Sequence, residues 1–205
     1  MRLLFFILNS NLRRKMMKTN LMAFVVLMLA QKSAFAQYGG GPPGGGQPNQ
    51  PTTAQTQALS AANNASMAVA AARGEAGYAW QDALNDKAAL PSAPTRWSDD
   101  MKATYNNLIA SGNGYFQTGD TFWDLGEYYK LRGDGNYIAG NGLWFPQYPN
   151  TPQYADAVIY FNNATDLWTV TAVPDYDTAQ ARYQDASTTY QAALSYYYAN
   201  SGPPI

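Results

Sequence analysis

The chain contains neither cysteine nor histidine. Without thiols there is no disulfide staple, no thiolate nucleophile and no anchor point for a lipoprotein lipid. Without imidazole there is no Ser-His or Cys-His nucleophile system and no c-type haem attachment, and only carboxylates remain of the usual zinc ligands. Long apolar runs are missing too. Leu21–Ala30 is about ten residues long, against roughly 20 for a membrane-spanning helix. Aliphatic side chains are scarce: from residue 37 onward Leu, Ile, Val and Phe number 21, a level at which disorder is a serious reading. All 16 Tyr and all 5 Trp lie in the same stretch. Each large aromatic buries about 150–250 Å², so a folded, aromatic-rich core is expected.

Residues 1–36 carry the marks of an export signal. Lys15 and Lys18 precede the apolar run, and Ala34-Phe35-Ala36 offers the small-x-small pattern that a signal peptidase accepts before Gln37. A second apolar stretch, Met1–Leu8, lies upstream of Arg13-Arg14-Lys15. Either translation starts at Met16 or Met17, or the signal is long and bipartite. Six basic residues and no acidic ones fall within the signal, so 14 Asp and Glu then face seven Lys and Arg. An acidic surface repels phosphate backbones and anionic head groups, which argues against nucleic acid and electrostatic membrane binding.

Residues 37–51 are Gly- and Pro-rich and read as a flexible linker. Beyond them seven-residue periods take over, the mark of helices held against helices. Between Thr52 and Leu90, Ala62, Ala65, Val69, Ala72, Ala76, Ala79 and Ala83 alternate three- and four-residue steps, and Pro91 and Pro94 follow. A second helix opens at the capping residue Ser98. In it Gly112, Gly119 and Gly126 recur every seven residues, with Tyr115, Phe122 and Tyr129 three behind, and Arg132-Gly133 reads as its end. Glycine costs a helix interior about 1 kcal/mol, so the run Ser111–Gly114 either continues or breaks this helix. Asn141-Gly142 predicts a small hairpin or an irregular loop. Tyr154, Phe161 and Trp168 mark a third helix, with Val158, Thr165 and Ala172 as its smaller column, and Val173-Pro174-Asp175 reads as the start of a fourth. There Tyr176, Tyr183, Tyr190 and Tyr197 repeat every seven residues, each followed three residues on by Ala179, Ala186, Ala193 or Asn200. The expected fold is all-α, an antiparallel four-helix bundle over residues 52–200 with a short tail at 201–205.

Several motifs invite chemistry. Asp120, Asp124 and Glu127 share a helix face and form the best carboxylate cluster, with a solvated helix start as the competing reading. Asp134–Ala139 resembles a calcium loop but lacks the glycine at position six. Arg132-Gly133-Asp134 spells an adhesion tripeptide that a helix terminus also explains. Asn64-Ala65-Ser66 and Asn163-Ala164-Thr165 match the glycosylation sequon. Two features hold more promise. The hydroxyls of Tyr176, Tyr183, Tyr190 and Tyr197 line a polar cavity or subunit face, or else reach the rim while the rings fill the core. The aromatics Tyr137, Trp144, Phe145 and Tyr148 suit sugar stacking or protein contact if exposed, or cap the bundle if folded back. No catalytic, cofactor or metal residue stands out. The expectation is an exported, non-enzymatic helical protein of the periplasm, cell surface or medium that acts through a protein partner or self-association. The alternative is a small-molecule or glycan binder.

Overall fold

Thr52 closes a capping box at the first helix, its side chain accepting from the Gln55 N–H while the Gln55 side chain accepts from its own N–H. The computed structural model describes residues 50–146 and 152–201. Residues 1–36, read above as an export signal, residues 37–49 of the expected linker, Tyr148 and residues 202–205 lie outside the described residues. Within them the chain is all-helical and forms three long rods. The first, α1, is Thr53–Ala88 and the second, α2, is Asp99–Trp144. The third is continuous: α3 at Tyr154–Asp166, a π turn at Leu167–Ala172 and α4 at Val173–Ser201. At about 1.5 Å per residue, α2 and the third rod each run to roughly 70 Å. α1 and α2 are antiparallel, as Asn63 meeting Tyr137 and Arg73 meeting Glu127 require. The third rod runs back along α2 and parallel to α1.

Two expectations are corrected. There is no separate fourth helix among the described residues, because Val173-Pro174 does not interrupt the third rod. Proline has no N–H to donate and its ring collides with the carbonyl four residues back in an α-helix. Here the turn just before it is widened, with the Val173 N–H donating to the Trp168 carbonyl five residues back. Second, no hairpin forms at Asn141-Gly142 and α2 does not end at Gly133: it continues to Trp144 and stops ahead of Pro146. Of the two alternatives for the run Ser111–Gly114, the structure has the helix continuing unbroken.

The reason α2 overrides its own turn signals is tertiary. Its glycine column extends through Gly133 and Gly140, and each glycine lies beneath an aromatic ring of the third rod. A Cβ on Gly112, Gly119 or Gly126 would stand 2.5, 2.6 or 2.8 Å from Cε1 of Tyr190, Tyr183 or Tyr176. At Gly133 the obstacle is Trp168, and at Gly140 it is Phe161 at 2.7 Å. Five rungs thus form an antiparallel ladder of ring on glycine. The burial of five large rings outweighs the helix-propensity cost of the glycines.

The rings of the ladder step by seven residues except between Trp168 and Tyr176, where the step is eight. The buried alanines of the same rod behave alike: Ala157 and Ala164 are seven apart, then Ala172 comes eight later, then Ala179, Ala186 and Ala193 at sevens. The π turn absorbs that one extra residue and keeps both columns on one face. The small column beside Phe161 and Trp168 is therefore Ala157 and Ala164, four residues before the next ring, rather than Val158 and Thr165. In α2 the buried aromatics alongside the glycine column are likewise Phe116, Trp123, Tyr137 and Trp144, each four residues after a glycine, while Tyr105 is buried ahead of the column. Tyr115 is exposed, and Phe122 and Tyr129 are half-buried. On α1 the alanine and valine seam is buried throughout, and α1 packs along the alanine face of the third rod.

Candidate functional site

Each tyrosine of α4 that lies on a glycine sends its hydroxyl to the residue following that glycine. Tyr190 donates to Asn113 Oδ1 at 2.9 Å, Tyr183 to Asp120 Oδ1 at 2.9 Å and Tyr176 to Glu127 Oε1 at 2.8 Å. Seven-residue spacing in both helices makes the three contacts equivalent. The hydroxyls meet protein, and the rings fill the space above the glycines. Burial pushes the Tyr190 phenol up to about 12, helped by the negative charge of Asp120. Tyr176 is raised further by burial, then by the charge and hydrogen bond of Glu127, with Arg73 opposing.

The Tyr176 rung is the most elaborate. Glu127 also accepts a short hydrogen bond from Arg73 Nε, so a helix pair and the third rod meet in one Arg–Glu–Tyr network. The Arg73 guanidinium lies 5.4 Å from the centroid of Trp123. Burial acts to lower the Arg73 pKa, but the hydrogen bond and charge of Glu127 outweigh it and the net shift is upward. Asp120 and Glu127 are thus half-buried acceptors in mid-helix, neither a helix start nor a free carboxylate cluster, while Asp124 is exposed.

The remaining sequence candidates fall at the two ends. Tyr197 is half-buried beside Trp97 and Tyr105, with ring centroids 5.5 and 6.0 Å away. Trp97 Nε1 donates to the Asn200 carbonyl at 3.1 Å, and Tyr105 donates to the Pro91 carbonyl at 2.6 Å. Burial raises the Tyr105 pKa, with Tyr197 and Tyr198 adding to it. At the opposite end Tyr137 and Trp144 are buried helical residues. Tyr137 packs on Phe161 and Trp168 and donates to Asn63; Trp144 meets Tyr154 edge-on at 4.7 Å. Phe145, just past the helix end, is exposed. Asp134–Ala139 is helical, with Asp134 paired to Lys130 at 2.7 Å, so it is no calcium loop; Arg132-Gly133-Asp134 is likewise helix interior. Asn64 and Asn163 are exposed on helices.

Two open grooves mark the surface. One, of about 330 Å³, lies between α1 and α4 and is lined by Glu75, Tyr78, Asp82, Gln180, Gln184 and Ser187 among others. The other, of about 600 Å³, runs between α2 and the π turn and is lined by Arg132, Asn136, Asn163, Asp166, Leu167, Val170 and Thr171. Exposed apolar side chains gather on the same half of the molecule: Leu131 and Ile138 on α2, Ile159 and Val170 on the third rod. Among the described residues no group of three or more acidic side chains is placed to hold a metal ion, and no helix is long and apolar enough to cross a membrane. The glycine column and the residue after each glycine were the signals that could have located the hydroxyl acceptors Asn113, Asp120 and Glu127 from the sequence. No protein-family model matches the chain, and no curated protein or solved structure does either.

Proposed function

We propose that the chain is an exported, non-enzymatic helical protein that acts through contact with other proteins, as a structural component of the envelope or the extracellular space. One observation carries this reading. The polar groups best suited to chemistry are engaged in packing, since Tyr176, Tyr183 and Tyr190 donate to Glu127, Asp120 and Asn113, while large apolar side chains such as Leu131, Ile138 and Val170 face outward. A rod about 70 Å long with exposed apolar side chains suits a spacer or scaffold better than a catalyst. Export is supported by the charged, apolar and small-x-small order of residues 15–36, and the Gly- and Pro-rich linker would then join the rod to the mature N-terminus.

The test is expression of the full chain in a secreting bacterial host, with N-terminal sequencing of the product and crosslinking of the purified protein over a range of concentrations. The reading expects a mature chain beginning at Gln37 and concentration-dependent association. A product retained in the cytoplasm with its first residues intact contradicts export, and a monomer at millimolar concentration contradicts self-association.

A further inference from the structure

The groove beside the π turn is where the molecule departs from its own rule. Both columns of the third rod keep a seven-residue period on either side, and one extra residue between Trp168 and Tyr176 forces the widened turn Leu167–Ala172. Omitting that residue would make the ladder uniform, so the packing of rings and alanines along the rod gives no reason for the insertion, although the widened turn also seats Pro174. Single π turns inside α-helices are rare and cluster at functional sites, and a local violation without a packing gain points to function.

The side chains around it are also left in an unusual state. Arg132 on α2 and Asp166 on the third rod line the same groove of about 600 Å³, and among the described residues neither forms an ion pair. Arg132 is instead held on its own helix, its Nη1 donating to the Tyr128 hydroxyl at 3.3 Å and its guanidinium 5.6 Å from that ring. The two opposite charges are thus presented across a gap rather than neutralised. Asn136 and Asn163 flank them with amides, and Leu167 and Val170 supply an apolar strip between.

We propose that this groove binds a short zwitterionic peptide, with Arg132 taking the C-terminal carboxylate, Asp166 the N-terminal ammonium and Leu167 with Val170 an apolar side chain. A guanidinium accepts the planar carboxylate through two parallel N–H bonds. The charge-assisted contacts at both ends give selectivity for a ligand that carries both charges, and the volume is within the usual range for small-ligand sites. This inference does not rest on the export and protein-contact reading: Val170 belongs to both surfaces, but the paired charges of Arg132 and Asp166 carry the groove.

The probe is glycyl-leucine, titrated into the ¹⁵N-labelled full chain, with the N-acetylated, C-amidated dipeptide as control. Saturable shifts of the Asn136, Leu167 and Thr171 amides are expected with glycyl-leucine alone, and Arg132→Gln and Asp166→Asn should each weaken binding about tenfold or more. Both side chains are exposed, so these variants leave the core intact. No shift at about 10 mM peptide, equal binding of the blocked dipeptide, or unchanged affinity in both variants overturns the proposal. A second variant removes Thr169, which does not line the groove, and replaces Pro174→Ala, giving an uninterrupted seven-residue ladder. It should keep a thermal midpoint at least as high as the parent while losing glycyl-leucine binding. A lowered midpoint would make the turn a packing requirement, and retained binding would detach the ligand from it; either result overturns the proposal.

Discussion

The two halves of the ladder, divided by the π turn, solve one packing problem with different chemistry. Toward the α4 end the rings over Gly112, Gly119 and Gly126 are tyrosines, and each hydroxyl reaches the residue after its glycine. Toward the α3 end the rings over Gly133 and Gly140 are Trp168 and Phe161. Trp168 donates from Nε1 to the Lys130 carbonyl at 3.2 Å, and Phe161 has nothing to donate. Asp134 and Asn141 still follow the glycines there, but the rings above those glycines carry no hydroxyl. What persists across all five rungs is the steric match of ring and glycine. The fold therefore rests on shape, and the hydroxyl contacts are a local addition that tethers side chains of α2 to α4.

That contrast ranks the perturbations. The largest loss is expected at Glu127, which serves Arg73 and Tyr176 together. Glu127→Ala leaves a partly buried guanidinium and a buried phenol without their acceptor, and chemical denaturation should report a loss of about 3 kcal/mol. A loss below about 0.5 kcal/mol would place the network at the solvated surface.

Alkaline pH bears on the tyrosine half, where the raised phenols of Tyr176 and Tyr190 lie. The folded pKa of Tyr190, about 12, lies above its ordinary value of 10, chiefly through burial and then through Asp120. The native state holds the phenolic proton longer than the unfolded chain does, so this stability is complete below pH 10 and is lost as pH rises from 10 to 12. Lys87 works in the opposite sense. Burial lowers its pKa from 10.5 despite Asp120, so its penalty on the folded state fades as pH climbs toward that value. The raised phenols Tyr190 and Tyr176 act together above pH 10, where stability to denaturant should fall as pH rises. Tyr190→Phe, which makes this rung resemble Phe161 on Gly140, should lessen that fall, with Tyr176 and Tyr105 carrying the rest; an equal drop in that variant would assign the effect elsewhere.

Tyr183→Phe removes a hydroxyl whose acceptor, Asp120, is half-buried and can take water in exchange. The expected cost is about 1 kcal/mol by thermal or denaturant unfolding. A cost above about 3 kcal/mol would mean that polar contact, not shape, carries the rung.

Much of the architecture was legible as period. The α1 seam from Ala62 to Ala83 is buried as its three-and-four spacing implies, and so are Tyr176, Tyr183 and Tyr190 with Ala179, Ala186 and Ala193. The misreadings came from local signals that packing overrode. Pro174 looks like a helix start, yet the π turn before it lets the rod continue. Asn141-Gly142 looks like a turn, yet Gly140 and Trp144 extend the buried columns of α2 and hold that segment helical. The phase of the α2 aromatics was missed by one residue, because glycine-plus-three and glycine-plus-four are both aromatic at Tyr115-Phe116 and at Phe122-Trp123. Of the candidate site residues, the sequence posed the question of the tyrosine partners but could not supply them, since pairing between distant helices depends on a register that only the folded chain sets.

The central claim is that each ladder glycine is present to admit its ring, and a double-mutant cycle on Gly119 and Tyr183 tests it directly. A Cβ at Gly119 would lie 2.6 Å from Cε1 of Tyr183. With Tyr183 in place, Gly119→Ala should therefore destabilise by about 2 kcal/mol, the overpacking cost exceeding the helix-propensity gain. In the Tyr183→Ala background the same substitution meets no ring, and it should stabilise by up to about 1 kcal/mol. That reversal of sign is the predicted result. An equal destabilisation by Gly119→Ala in both backgrounds would contradict the account.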